Sequence, residues 1–172
     1  ALSGQGTSVR SMAFRSYESP ELFIDWEPER CIHVAACLAA APGVFDPKRR
    51  PWVEPENGST EEIIAAIEAC PTGALRYRRN DGGAEDPGSE ATIYPVQSGP
   101  LVVRGPLEVT ADDGSVFATG PRMAFCRCGR SGNQPFCDNS HRTTTFESEA
   151  PVPRASSESP DEICPPQDET FG

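Results

Sequence analysis

The stretch 126–141 concentrates side chains that bind metals: it holds three of the chain's seven cysteines and one of its two histidines. These four residues are spaced C-x-C-x8-C-x3-H, as Cys126, Cys128, Cys137 and His141. Thiolate and imidazole groups bind both zinc and the irons of iron–sulfur clusters. The spacing therefore predicts a metal site with four protein ligands, and the identity of the metal decides which function follows.

Two kinds of metal centre suit this ligand set. Zinc accepts three cysteines and one histidine, but zinc hairpins usually place two or more residues between their first two cysteines. A single residue separates Cys126 from Cys128, which leaves little chain to wrap around one ion. A [2Fe–2S] cluster is wider, and a histidine in place of a cysteine raises its reduction potential because the ligand set loses one negative charge. The spacing favours the [2Fe–2S] cluster and keeps zinc as the alternative.

The pattern around these ligands extends over Ser131, Pro135, Asp138, Asn139 and Ser140. It resembles the CDGSH iron–sulfur domain, the family of mitoNEET. The resemblance implies a [2Fe–2S] cluster bound by the four side chains, and a homodimer in which the subunits exchange strands. Asn139 stands where the family usually has glycine. Because asparagine tolerates positive φ better than most residues, we expect the backbone turn to be kept.

Asp138 and Ser140 are predicted to surround the site without binding the metal. A metal-bound histidine usually donates its other ring N–H to a carboxylate, a carbonyl or a water. Asp138 also suits the cap of a short helix that begins after Cys137. We expect capping to be its main role, with tuning of the cluster second.

A second group of cysteines lies in the first half of the chain. Cys31 and Cys37 have the spacing C-x5-C, and Cys70 follows much later, directly before Pro71. This spacing, with the sequence that follows Cys70, resembles the divergent monocluster ferredoxin domain. Ferredoxins with four cysteines carry a further ligand three residues after the first, and Val34 occupies that position here. Three thiolates predict a [3Fe–4S] cluster.

Two alternatives remain for this half. His33 is next to the position without a ligand, and it is the candidate for binding the fourth iron of a [4Fe–4S] cluster, although it is one residue out of register. Alternatively, the cysteines are buried in ordinary helices without metal, since free cysteine is among the most buried residue types. The combined match of ligand spacing and Cys-Pro segment favours a cluster.

The overall composition fits a small iron–sulfur protein. A chain of 172 residues forms one or two small domains, and 15 glycines and 18 prolines leave each with a thin core that a metal centre helps to stabilise. An odd number of cysteines grouped with histidines argues against a disulfide scaffold and for a reducing, cytoplasmic compartment. The net charge of −11 disfavours nucleic-acid binding, and no apolar run is long enough to predict a membrane span.

The predicted fold is α+β, with a small ferredoxin-like α/β half followed by a β-rich CDGSH-type half. The predicted divisions are a monocluster ferredoxin-like domain at 19–79, a linker at 80–92, a CDGSH-type [2Fe–2S] domain at 93–146 and an acidic tail rich in proline and serine at 147–172. Residues 1–18 are rich in serine and glycine and are expected to be loose. Cys164, in the tail, has no partner at ligand spacing, and its role stays open.

Local patterns place the elements of each half. Apolar and β-branched runs predict strands at 22–26, 75–78, 101–104, 107–110 and 116–118, with 122–125 leading into the ligand stretch. A helix is predicted from Cys31 to about Ala39, and a capping box at 59–62 begins another. The sequence at 112–114 predicts a hairpin turn.

The function that these patterns predict is electron transfer or redox sensing by an iron–sulfur protein that is not an enzyme. No nucleophile, general base or nucleotide-binding loop is recognisable in the sequence. The expected partners are redox proteins or apo iron–sulfur acceptors, with no nucleic acid and no membrane. One alternative is storage and transfer of clusters, and another is a structural metal module that holds an interaction surface.

Overall fold

The computed structural model describes residues 14–148, which form two halves, each built on a three-stranded antiparallel sheet. The first half combines strands with two helices and the second is mostly strand, which confirms the predicted α+β class. Residues 1–13, predicted to be loose, and residues 149–172, which hold most of the predicted tail and Cys164, lie outside the described residues. Within 14–148 no helix has the length and apolar character to cross a membrane.

The first half places one strand between two antiparallel neighbours. Its elements are β1 (Arg15–Glu18), β2 (Leu22–Trp26), α1 (Ala36–Ala40), α2 (Thr60–Glu68) and β3 (Leu75–Arg79), with short 3-10 helices at Pro28–Arg30 and Pro55–Asn57. Leu22 and Ile24 of β2 lie on the same face of the sheet, because alternate side chains of a strand point to one face. Both are fully buried, so this face covers the core. The same core contains Phe45, Ile63 and Ile67 from the connection between β2 and β3.

The capping box predicted at the start of α2 is confirmed. The hydroxyl of Ser59 accepts a hydrogen bond from the N–H of Glu62, and the Glu62 carboxylate accepts one from the N–H of Ser59 at 2.8 Å. This exchange satisfies two of the donors that the N-terminus of a helix leaves unpaired. The helix then buries one face and ends just before the predicted ligand Cys70.

Two predicted boundaries in the first half are wrong. The chain expected to be loose up to residue 18 forms β1 from Arg15, because these residues pair with β2 and take its extended geometry. The helix predicted from Cys31 begins only at Ala36. His33 and Ala35 have φ of 55° and 61°, and a right-handed helix does not pass through residues in that conformation.

The second half is a sheet with the strand order β4-β5-β6. Its strands are β4 (Thr92–Pro95), which the sequence did not predict, β5 (Leu101–Thr110) and β6 (Val116–Phe125). The short strands predicted in pairs are continuous, and β5 passes through Gly105 with a shift of register between Arg104 and Leu107. Gly105 has φ of 136°, which glycine adopts readily, and it therefore permits this bulge. The predicted hairpin turn joins β5 to β6, with Gly114 at φ of 82°.

The two halves pack directly on each other. Their interface contains a buried apolar cluster formed by Ile32, Val34 and Ala36 from the first half and Val102, Ala124 and Cys137 from the second. The side chain of Asn133 donates to the carbonyl of Glu29 at 2.9 Å across the same boundary. The segment predicted as a linker contributes Glu85, which pairs with Arg122 at 2.6 Å. Each half therefore buries apolar side chains of the other, and the predicted ligand Cys137 is part of this buried contact.

Candidate metal centres

The second predicted ligand set lies at the end of the second sheet, where β6 stops at Phe125. The N–H of Cys126 donates to the carbonyl of Pro135 at 2.9 Å, and the N–H of Cys137 donates to the carbonyl of Ala124 at 2.8 Å. These bonds hold Cys126 and Cys137 side by side. The sheet therefore brings together ligands from both ends of the stretch.

The four donors form two pairs with the spacing of ligands that share a metal. Cys126 Sγ lies 3.7 Å from Cys128 Sγ, and Cys137 Sγ lies 3.5 Å from His141 Nδ1. Two thiolates that each lie ~2.3 Å from one tetrahedral metal are ~3.8 Å apart, and a thiolate and an imidazole nitrogen are ~3.6 Å apart. Within residues 14–148 no three His, Cys, Asp or Glu side chains are grouped so as to hold one metal ion. The residues present fit a centre with two metals, each held by one pair.

Burial and hydrogen bonds set the acidity of these ligands. Burial raises the pKa of the Cys137 thiol to about 11, although the N–H of Asn139 contacts its sulfur at 3.4 Å. Burial also opposes ionisation of Cys126, but the backbone N–H groups of the following turn and the Cys128 thiol outweigh it and lower its pKa. Burial lowers the pKa of His141, which favours the neutral imidazole that binds metals.

Asp138 holds the ligand loop together, and its carboxylate accepts the first N–H of the short 3-10 helix at Ser140–Arg142, which is the predicted capping contact. The formal N-cap position, however, belongs to Asn139 and not to Asp138. Asn139 takes the N-cap position with φ of 73°, which confirms that the asparagine keeps the turn expected of glycine. Asp138 accepts hydrogen bonds from the N–H and hydroxyl of Ser140 at 3.0 and 2.6 Å, and from the N–H of Gly132 at 2.8 Å. These bonds lower the pKa of Asp138 against the effect of burial, so its carboxylate stays charged beside the ligands.

The three cysteines of the first half come from three separate places in the chain. Cys31 follows the 3-10 helix at Pro28–Arg30, Cys37 lies in α1, and Cys70 follows α2. Burial raises the pKa of Cys31, and burial together with the negative potentials of Cys70 and Cys31 raises the pKa of Cys37 to about 12. Ionised thiols that interact in this way repel one another, and the positive charge of a bound metal offsets that repulsion, so that its thiol ligands stay deprotonated. The donor set therefore fits an iron–sulfur cluster.

Two polar side chains beside these thiols were not predicted from the sequence to belong to the site. The hydroxyl of buried Thr72 lies 3.4 Å from Cys70 Sγ. The indole N–H of Trp26 is buried, and it opposes in small part the effect of burial, which raises the pKa of Cys31. This N–H makes no hydrogen bond of normal geometry within the described residues. Donors beside cluster sulfurs tune the reduction potential. Thr72 has a sequence signal, because it follows the Cys-Pro pair, whereas nothing in the spacing marks Trp26.

The segment 31–37 is called loop 31–37, although its last two residues begin α1, and its packing explains why position 34 carries no ligand. Alternate side chains of this loop, Ile32, Val34 and Ala36, are buried against the second half. Val34 is therefore part of the interface. His33 is exposed, and its Nδ1 lies 3.8 Å from Cys31 Sγ, so it remains the candidate fourth ligand of the [4Fe–4S] alternative.

Comparison with known proteins supports the family predicted for each half. Residues 17–80 match the family described as a divergent 4Fe-4S mono-cluster, and residues 98–142 match the family described as an iron-binding zinc finger of CDGSH type. Two curated relatives, both called uncharacterized protein YjdI, come from Escherichia coli strains K12 and O157:H7. Each is 29% identical over 65 residues, which cover 38% of this chain and 86% of the relative. The chain carries a divergent mono-cluster domain followed by a CDGSH domain, and the predicted resemblance is confirmed.

Proposed function

We propose that this iron–sulfur protein carries or senses electrons through two centres, and that it is not an enzyme. The proposed ligands are Cys126, Cys128, Cys137 and His141 for a [2Fe–2S] cluster, and Cys31, Cys37 and Cys70 for a [3Fe–4S] cluster. The observation that carries the proposal is the packing of loop 31–37 on Cys137. Through this contact a segment that bears ligands of the first set lies directly beside a ligand of the second. The clusters, when bound, supply one-electron redox chemistry.

The residues around the second site favour a stable redox centre. Cys137 is 3% exposed, so its thiolate is held away from water and from competing ligands. The N–H of Asn139 and the backbone N–H groups near Cys126 point at sulfur and stabilise negative charge there. His141 contributes a neutral ligand where a cysteine would add a negative charge, and this favours uptake of an electron.

Chemical analysis and EPR of anaerobically purified protein test the proposal. Iron and acid-labile sulfide are expected in the chain, with an EPR signal from the oxidised [3Fe–4S] centre and another, from the [2Fe–2S] centre, on reduction. Zinc at about one ion per chain without acid-labile sulfide would contradict it and favour the structural metal module.

Replacing His33 with alanine separates the two forms proposed for the first centre. If the three cysteines are the only protein ligands of the first centre, the His33 variant is expected to keep the iron content and the oxidised EPR signal of the original protein. If His33 binds a fourth iron, the variant is expected to lose that iron and to acquire the signal of a three-iron cluster that the original lacks. His141→Ala is the matched control, because it removes the other imidazole beside a cysteine and is expected to affect the [2Fe–2S] centre alone.

Replacing His141 with cysteine is expected to lower the reduction potential of the [2Fe–2S] centre by on the order of 100 mV or more, because an anionic ligand replaces a neutral one. A redox titration followed by EPR measures the shift. Asn139→Gly is the control, since it changes the same turn without changing ligand charge and is expected to leave the potential nearly unchanged. An unaltered potential in the His141 variant would contradict the assignment of this imidazole as a ligand.

Cluster storage and transfer is the second candidate, and the position of the ligands favours it. Cys126, Cys128 and His141 are partly exposed on a loop at the end of the sheet, which suits handover to another protein. Incubation of the loaded protein with an apo-ferredoxin distinguishes the two functions. Transfer of iron and sulfide that is abolished in His141→Cys supports delivery, whereas electron exchange without loss of iron supports a carrier.

The partners proposed for the carrier are one-electron redox proteins, and those proposed for delivery are apo iron–sulfur proteins. A homodimer and a cytoplasmic location are part of the same proposal. The mass of the loaded protein in solution tests the homodimer, and a strictly monomeric mass would exclude it.

A further inference from the structure

Arg122 is a fully buried arginine on β6, four residues before the ligand Cys126, and its side chain is 2% exposed. Its guanidinium group reaches into the first half of the chain and does not turn toward solvent. A buried charge of this kind is costly unless it is paired and hydrogen-bonded. The contacts of Arg122 therefore show what it holds in place.

All five N–H donors of Arg122 have partners. Nε and one terminal nitrogen donate to the two carboxylate oxygens of Glu85 at 2.8 and 2.6 Å. The remaining donors reach the backbone carbonyls of Ile67, Cys70 and Leu75, the last at 3.2 Å. The ion pair offsets the charge, and the fork of the guanidinium satisfies every hydrogen-bonding position at once. A lysine has fewer donors and cannot reproduce this arrangement.

These contacts join the two ligand sets through one side chain. Cys70, whose carbonyl accepts from Arg122, is a proposed ligand of the first centre. The strand that carries Arg122 ends at Phe125 and leads directly into Cys126, a proposed ligand of the second. The apolar side chains of loop 31–37 meet Cys137 in the same interface. The two centres are thereby linked both by packing and by a buried polar network.

We propose that Arg122 is a positioning residue that holds the two ligand sets at a fixed separation, so that an electron passes between the centres within one chain. The inference rests on the proposed function and identifies the residue that this function needs. The step transfers one electron and no proton: one site loses an electron and the other gains it. A one-electron reductant, such as a reduced ferredoxin, supplies the electron.

The test uses the full-length protein with both centres loaded and compares it with Arg122→Met. EPR power saturation of the reduced [2Fe–2S] signal reports the magnetic interaction with the other centre, because a nearby paramagnet speeds relaxation. Cys37→Ala gives the reference without that interaction. We expect Arg122→Met to lower the half-saturation power several-fold, toward the value of the Cys37 variant.

Arg104→Met is the matched control. Arg104 faces Arg122 across the two strands and also donates to a carbonyl of the first half, that of Glu68, at 3.2 Å, but this bond is exposed and contacts no proposed ligand. This variant is expected to keep the half-saturation power of the original protein. An equal fall in both variants would assign the effect to general loosening of the interface and would overturn the role of Arg122.

The iron content of each variant is measured first, because it distinguishes loss of a centre from a change in the interaction between the centres. If Arg122→Met does not retain both centres, Arg122→Lys and Glu85→Gln are measured in the same way, since they keep part of the network. Loaded variants with unchanged half-saturation power would overturn the inference and leave the proposed function intact. Absence of iron and sulfide from the original protein would instead overturn the proposed function itself.

Discussion

Replacing Cys37 with alanine is expected to abolish the EPR signal of the oxidised protein and to leave the signal of the reduced [2Fe–2S] centre in place. Within residues 14–148, the first half has three cysteines, so the loss of Cys37 leaves two thiolates, Cys31 and Cys70, which cannot hold a three-iron cluster. The iron content is expected to fall from about five to about two atoms per chain. Metal analysis and EPR of the same samples measure both effects.

Cys37 is a partly buried thiol that interacts with two other thiols. Burial and the neighbouring thiols raise its pKa to about 12, so without metal it stays a neutral thiol at physiological pH. Alanine keeps much of the packing in α1 and removes only the sulfur. A loss of iron therefore reports ligation and not the collapse of the core.

Cys128→Ala is the reciprocal control. Cys128 lies 3.7 Å from Cys126 in the second ligand set and far along the chain from the first. Its removal is expected to eliminate the [2Fe–2S] signal and to preserve that of the oxidised [3Fe–4S] centre. If either variant lost both signals, the two centres would not be separate sites, and the assignment of ligands would have to change.

The candidate ligands of the second half could be proposed from sequence because their chemistry is local. Cys126, Cys128, Cys137 and His141 lie within one short stretch, so spacing alone indicates which side chains are candidates to share a metal. The turn at Asn139 and the capping box at Ser59 also depend on neighbouring residues, and the structure confirms both. The α+β class follows from the same local patterns.

The errors concern features that depend on contacts between distant residues. The helix predicted from Cys31 follows from its apolar composition, but those side chains alternate because they pack against the second half. The strand β4 and the continuity of β5 depend on pairing with neighbours, which compensates for a glycine and a proline. Arg122 in the sequence is one of many arginines, and only its tertiary contacts distinguish it.

The interface also accounts for a departure from the four-cysteine ferredoxin pattern. Val34 occupies the position of the missing ligand and is 7% exposed, in contact with the half that carries the second centre. A cysteine there would face the interface and not the other thiols. The chain has an apolar contact between the two proposed centres at the position where four-cysteine ferredoxins have a further iron ligand.

Replacing Gly73 with alanine is expected to destabilise the protein strongly, because this glycine lies where the two halves meet. Its φ is 65°, a conformation that costs a residue with a Cβ about 1–2 kcal/mol. A Cβ would also approach the backbone carbonyl oxygen of Arg122 well inside contact distance, and backbone cannot move aside as a side chain can. With ~1–3 kcal/mol for overpacking, the total is roughly 2–5 kcal/mol, or a fall in Tm of about 5–15 °C.

Gly88→Ala separates the two contributions. Gly88 has a similar φ of 72°, but a Cβ there meets nothing within 4 Å, so only the backbone strain remains. Thermal unfolding followed by circular dichroism and by cluster absorbance is expected to show a small shift for Gly88→Ala and a large one for Gly73→Ala. Because Gly73 lies between Cys70 and β3, cluster absorbance of the first centre is expected to be lost at a lower temperature than in the control. Equal shifts in the two variants would mean that the close approach of Gly73 to Arg122 contributes nothing, and that the two halves are joined less tightly than their packing indicates.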